Sequence, residues 1–211
     1  KYAQDGERIL CHVSNFRPVK RVEDVIQIFK RVNDVIPSRL MLIGDGPDRY
    51  NAERLCRELG VCSRVITLGK IRDAANLMQL TDLFLLPSET ESFGLAALEA
   101  MAANTPVIST NTGGLPEVNI HGKTGYLSNL GDVVEMSQNT ISILKDDATL
   151  LQFKQNAKAH TFAPLYGATG MGLPEHIHRY YYQFTDVYPG IGEWHLRLAQ
   201  EALKYKVISL P

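Results

Sequence analysis

The chain has 211 residues, 45% of them hydrophobic and 21% charged, which suits one large domain or a domain with an appendage. Lys plus Arg number 22 against 23 Asp plus Glu, a formal net charge of −1, so nothing draws the whole molecule to nucleic acid or an anionic membrane. No apolar run reaches transmembrane length and no signal peptide opens the chain; three cysteines (Cys11, Cys56, Cys62) without zinc spacing point to a reducing cytoplasm.

The opening, KYAQDGERIL, reads like a linker entering a strand, as if the chain were the back half of something longer. Strand one is expected at Arg8–Val13. Val22–Val35 follows as a helix, with Val22, Val25, Ile28, Phe29 and Val32 on one face. Leu40–Gly44 is strand two, Asp48–Leu59 a helix ended by Gly60, and Val65–Leu68 strand three. A short helix is expected at Ala74–Leu80. Leu83–Leu86 is strand four, Gly94–Ala103 its helix, Val107–Ser109 strand five and Gly125–Leu127 strand six. Asp132–Lys145 and Ala148–His160 read as closing helices. The domain is expected over residues 1–160. Residues 161–211 form a tail of different character, with Gly and Pro punctuation over Phe162–Leu173, three tyrosines at Tyr180–Tyr182 and a helical pattern at Trp194–Val207.

Strands alternating with helices predict a parallel, doubly wound α/β sheet, whose usual order is 3-2-1-4-5-6. Its ligand crevice opens between strands one and four. The loop Ser14–Arg21 is therefore expected beside the loop Ser88–Gly94. In the first, Arg17, Lys20 and Arg21 offer counter-charge for a pyrophosphate, or are an ordinary basic loop. In the second, Ser92, Phe93, Gly94 and Leu95 open a helix. The N–H groups of the last three lack intrahelical partners and suit an anion, with Gly94 sparing a side chain at the closest approach. Glu91 and Glu99 frame that turn and can accept hydrogen bonds from vicinal hydroxyls. Alternatively, Glu91 is a solvated cap and Glu99 a surface residue.

The turn Gly44-Asp45-Gly46-Pro47 either borders the crevice or merely turns the chain. The glycines of Asn111–Glu117 either let backbone approach a ligand or a neighbouring loop, or simply make a turn. Gly122-Lys123-Thr124-Gly125 looks like the end of a Walker motif but precedes a strand, so it is rejected. His160, His176, His178 and His195 lack the Cys or carboxylate partners of a metal site. No metal is expected. The glycine fingerprint of a dinucleotide-dependent oxidoreductase is missing after strand one.

Together SNFRPVKR, LIGDGPD, VITLGK, SFGLAALEAMA after Glu91, TNTGGLPEV and HGKTGYL arrive in an order that resembles the C-terminal, donor-binding domain of family-4 retaining glycosyltransferases, over Arg8 to His160. That resemblance implies a Rossmann-like six-stranded sheet, one half of a GT-B fold, followed by a helical tail. The first loop most resembles the subgroup that transfers N-acetylglucosamine to L-malate, the first step of bacillithiol synthesis.

The implied roles follow from the match. Lys20 would hold the donor pyrophosphate. Where many relatives carry an arginine five positions earlier this chain has Asn15, so Arg17 would supply the second charge. Glu91 would meet the donor sugar, Phe93, Gly94 and Leu95 would donate N–H groups, with Ser92 beside them, and Glu99 would bind the ribose hydroxyls. Gly69, Lys70 and Ile71 would lie along the nucleobase. A UDP-sugar, UDP-N-acetylglucosamine above all, would be the donor, with no cofactor. The acceptor site would belong to a missing N-terminal domain, leaving this chain inactive alone. The competing expectation is a non-catalytic scaffold or interaction module, motivated by the tail's aromatic residues; a homo-oligomer stays open with it.

Overall fold

The structure, a computed structural model, describes residues 2–72 and 74–162. The residues up to Lys158 form one compact unit. The expectations for Phe162–Leu173 beyond its first residue, for Tyr180–Tyr182, for His176, His178 and His195 and for Trp194–Val207 lie outside the described residues.

That unit is built on strands β1 (Arg8–Ser14), β2 (Ser38–Gly44), β3 (Val65–Gly69), β4 (Leu83–Leu86), β5 (Val107–Thr110) and β6 (Gly125–Ser128). All pairings are parallel and the order is β3-β2-β1-β4-β5-β6. The expected doubly wound sheet is therefore present, with β1 and β4 side by side at its centre.

Helices α1 (Val22–Asn33), α2 (Arg49–Glu58), α3 (Ala74–Met78), α4 (Leu95–Ala102), α5 (Leu115–Val118), α6 (Val133–Leu144) and α7 (Asp147–Phe162) cover the sheet. Alternation along the strands sends Leu10, Leu40, Leu42, Leu83, Leu85 and Ile108 into one core and Cys11, Met41, Phe84, Leu86 and Val107 into the other. The first core takes Val25, Ile26, Ile28 and Phe29 from α1 and Met136 and Ile143 from α6. The second takes Ala97, Ala100 and Met101 from α4.

Charge placement supports α1, with Glu23 and Asp24 in its first turn and Lys30 and Arg31 in its last. Asp132 caps α6 by accepting the Glu135 N–H at 2.9 Å. α7 is tied down by an Arg8–Asp147 ion pair and by Lys154 on Asp82 at 2.9 Å. The other Asp82 oxygen accepts the Ile9 N–H at 2.9 Å, which joins the starts of β1 and β4 to that helix.

Two local readings are corrected. The stretch Asn111–Glu117 is not only a turn: Leu115–Val118 is a short helix, with Pro116 in its first turn where a missing N–H costs nothing. The fourth helix begins at Leu95, not Gly94. Gly94 is its N-cap in the left-handed region, φ 82°, so the chain turns sharply there.

Candidate functional site

The site lies at the C-terminal ends of β1 and β4. The loop leaving β1 turns at Phe16, whose φ of 43° is uncommon for a bulky residue. Its ring is buried, which holds the backbone in that conformation and leaves Asn15 and Arg17 exposed on either side. A short 3-10 turn over Pro18–Lys20 follows, closed by the Lys20 N–H on the Arg17 carbonyl at 2.8 Å.

The β2 loop braces this segment. A methyl group at Gly44 would sit 1.8 Å from the Ser14 carbonyl oxygen, and one at Gly46 would sit 1.9 Å from that of Asn15. The Asp48 N–H donates to the Phe16 carbonyl at 2.9 Å. The glycines of the Gly44-Asp45-Gly46-Pro47 turn thus allow two loops to pack backbone to backbone.

The expected meeting of the β1 and β4 loops is observed directly. The Glu89 N–H donates to the Val19 carbonyl at 2.8 Å. Lys20 Nζ donates to Glu91 Oε1 at 2.5 Å, with the two side chains 21% and 12% exposed. Ser88 Oγ–H donates to the same Glu91 oxygen at 2.9 Å. An ammonium has three donors and Glu91 engages one, which leaves Lys20 able to meet an anion as well.

The β5 loop holds Glu91 from behind. Gly114 N–H donates to the Glu91 carbonyl at 3.0 Å, and a methyl group on Gly113 would lie 1.8 Å from that carbonyl oxygen. Thr110 Oγ1–H donates to the Ser88 carbonyl at 2.6 Å. The glycines of Asn111–Glu117 therefore position the acidic loop.

α4 starts just after Glu91. With Leu95 as its first residue, the groups left without intrahelical acceptors are the N–H of Gly94, Leu95, Ala96 and Ala97. Ala96 is thus a backbone donor that sequence reading missed; the signal was the glycine, read as part of the helix rather than as its cap. The fold itself also favours glycine at position 94. Its positive φ would strain a side chain, and a Leu115 methyl carbon 2.8 Å from where its Cβ would stand would have to shift to admit one. Ser92 is exposed and Phe93 half-buried ahead of the helix.

Glu99 sits one turn along α4. Its side chain is exposed, as the surface alternative had it, yet partial desolvation by the surrounding protein raises its pKa above the usual carboxylate value. Gly69 ends β3 with φ 67°, followed by exposed Lys70 and Ile71 at the edge of the sheet. Arg21 departs from expectation. It takes a left-handed conformation ahead of α1 and pairs with Asp24 at 2.6 Å, so its charge is directed to that helix.

One residue beneath the site drew no attention in the sequence. His12, fully buried on β1, has its imidazole held well below the ordinary range, at about 4, chiefly by burial. A histidine within an otherwise apolar strand was the available signal. Among the described residues no group of three His, Cys, Asp or Glu side chains converges as a metal centre would.

The family model of glycosyl transferases group 1 matches residues 1–160. N-acetyl-alpha-D-glucosaminyl L-malate synthase of Bacillus anthracis is 47% identical over 143 residues, covering 68% of this chain and 38% of that protein. Among solved structures, Anabaena Alr3699/HepE in complex with UDP and glucose superposes with a TM-score of 0.69 at 26% identity, covering 74% of this chain and 44% of that one. Staphylococcus aureus TarM, in a complex that contains UDP, gives a TM-score of 0.71 at 20% identity, covering 74% and 32%. The chain spans 26–41% of the length of the first curated relatives it matches.

Proposed function

The chain belongs to the glycosyl transferases of group 1, and from that premise we propose that it is the donor-binding half of a retaining, UDP-sugar-dependent enzyme. The observation that carries the proposal is the meeting of Lys20 and Glu91 where β1 and β4 end, directly before the N-terminus of α4.

In this reading Lys20, with exposed Arg17 and Asn15 beside it, receives the diphosphate. The N–H groups of Gly94, Leu95 and Ala96 add the positive end of a helix dipole, with Ser92 and Phe93 at the same turn. These groups stabilise the departing UDP, where negative charge grows as the sugar leaves. Glu91, held by Lys20, Ser88 and the β5 loop, faces the sugar hydroxyls. Glu99 accepts from the two ribose hydroxyls, and Gly69, Lys70 and Ile71 flank the base. The likeness to the B. anthracis synthase favours N-acetylglucosamine as the sugar and a small hydroxy acid such as L-malate as acceptor. A second domain, outside this chain, supplies the acceptor site, so the chain alone binds donor without transferring sugar. Fixed cationic groups and the helix N-terminus take the part a divalent metal plays elsewhere.

Calorimetry separates the two ends of the donor. Lys20→Met is expected to weaken both UDP and inorganic pyrophosphate by about tenfold or more, since a charge-assisted contact is lost. Glu99→Ala is expected to weaken UDP comparably while leaving pyrophosphate unchanged. Unaltered UDP affinity in both variants would remove the proposal.

A further inference from the structure

The polar groups beneath the site form a continuous chain. His12 Nδ1 lies 2.9 Å from the Leu85 carbonyl oxygen on β4, and Nε2 lies 2.8 Å from Ser14 Oγ. A carbonyl can only accept, so Nδ1 carries the proton. In the neutral ring Nε2 is then the acceptor, and Ser14 Oγ–H donates to it. Ser14 Oγ in turn accepts the Phe16 N–H at 3.2 Å. The imidazole is also stacked between two rings, Phe16 at 6.1 Å and 25° and Phe84 at 6.4 Å and 14° between centroids and planes.

A histidine serving only to fill the core would be replaceable by leucine, the residue at Leu10 on the same strand and at Leu42 opposite it in the β1–β2 register. This histidine instead spends both nitrogens on a directed path. The path starts on β4, whose loop carries Glu91. It ends on the amide of Phe16, the left-handed residue that sets the course of the β1 loop.

We propose that His12 is a positioning residue: acting through Ser14, it fastens the loop bearing Asn15, Arg17 and Lys20 to strand β4 and so sets the placement of Lys20 against Glu91. The proposal rests on the donor-site reading only where it concerns ligand affinity. The fastening itself stands on the contacts above.

Side-chain geometry supplies the test. Asn at this position reproduces the Nδ1 donor to Leu85 but loses the acceptor for Ser14. Gln reaches the Nε2 position and restores a partner for Ser14. Ser14→Ala removes the next link. His12→Asn and Ser14→Ala are each expected to speed amide exchange at Phe16, Lys20 and Glu89 and to weaken UDP binding by about five- to tenfold, the scale of one hydrogen bond. The double variant should be no worse than either single one, because the path is already broken. His12→Gln keeps an acceptor for Ser14 but leaves the Leu85 carbonyl without its donor, so it should lose affinity as His12→Asn does.

Additive losses, or unchanged exchange at Phe16 in Ser14→Ala, would overturn the proposal. If His12→Asn does not fold, Ser14→Ala and His12→Gln decide alone. Should the unaltered chain fail to bind UDP, the donor-site reading falls. The exchange rates of Phe16, Lys20 and Glu89 then still decide whether His12 fastens the loop.

Discussion

At the scale of single residues, Glu91 is where constraints converge. Lys20 and Ser88 hold its carboxylate and Gly114 holds its carbonyl. That Glu91 and Lys20 would stand close together was legible, because a doubly wound sheet brings the loops after its first and fourth strands to one crevice. Their supports were not legible. Ser88 and His12 are recruited from separate segments by the fold, and no local pattern joins them; only the glycines at 113 and 114 had signalled a close approach to a neighbouring loop. His12 also gives the molecule a pH signature. Unfolded, it takes up a proton below about 6.5. Folded, it resists protonation until about 4, because burial dominates; Lys20 adds to the depression, and the Leu85 carbonyl and Glu91 oppose it. The unfolded state therefore binds the extra proton across that window, and stability falls as pH drops from about 6.5 towards 4, by on the order of 3 kcal/mol. His12→Gln lacks this titration. Urea unfolding of the two proteins should thus show a stability gap that narrows as pH falls from neutrality to about 4.5; a gap independent of pH would contradict the assignment.

At the scale of elements, the loops beyond β2 and β5 act as braces. Their glycines let one backbone lie against another, as Gly44 does on Ser14 and Gly113 on Glu91. Strand and helix positions were readable from apolar spacing, but the start of α4 was not. Gly94 turns in the left-handed region with Leu115, a residue of a different element, packed where its side chain would stand. The bracing has a direct consequence. Gly113→Ala must overcome a φ of 56° and an overlap with the Glu91 carbonyl. It should cost on the order of 1–3 kcal/mol and weaken UDP binding together with thermal stability. Gly60 is the matching control, with φ 69° and open space around its would-be Cβ. Gly60→Ala should lower the melting temperature and leave UDP affinity alone. Equal UDP affinity in both variants would mean that the β5 loop does not position Glu91.

At the scale of the whole molecule, the sheet order follows from the alternation of strands and helices, and it is what brings two distant loops to one crevice. No helix among the described residues is long and apolar enough to cross a membrane. The chain spans less than half of the first curated relatives it matches, and an acceptor-binding partner domain is part of the proposal. The central claim is that a nucleoside diphosphate lies across the ends of β1 and β4, against the start of α4. Titrating UDP into the isotopically labelled chain and following its amide resonances tests this most directly. The account predicts the largest shifts at Phe16 and Lys20, at Gly94, Leu95 and Ala96, and at Gly69 to Ile71. Saturable shifts confined to other parts of the surface, with those amides unmoved, would contradict it.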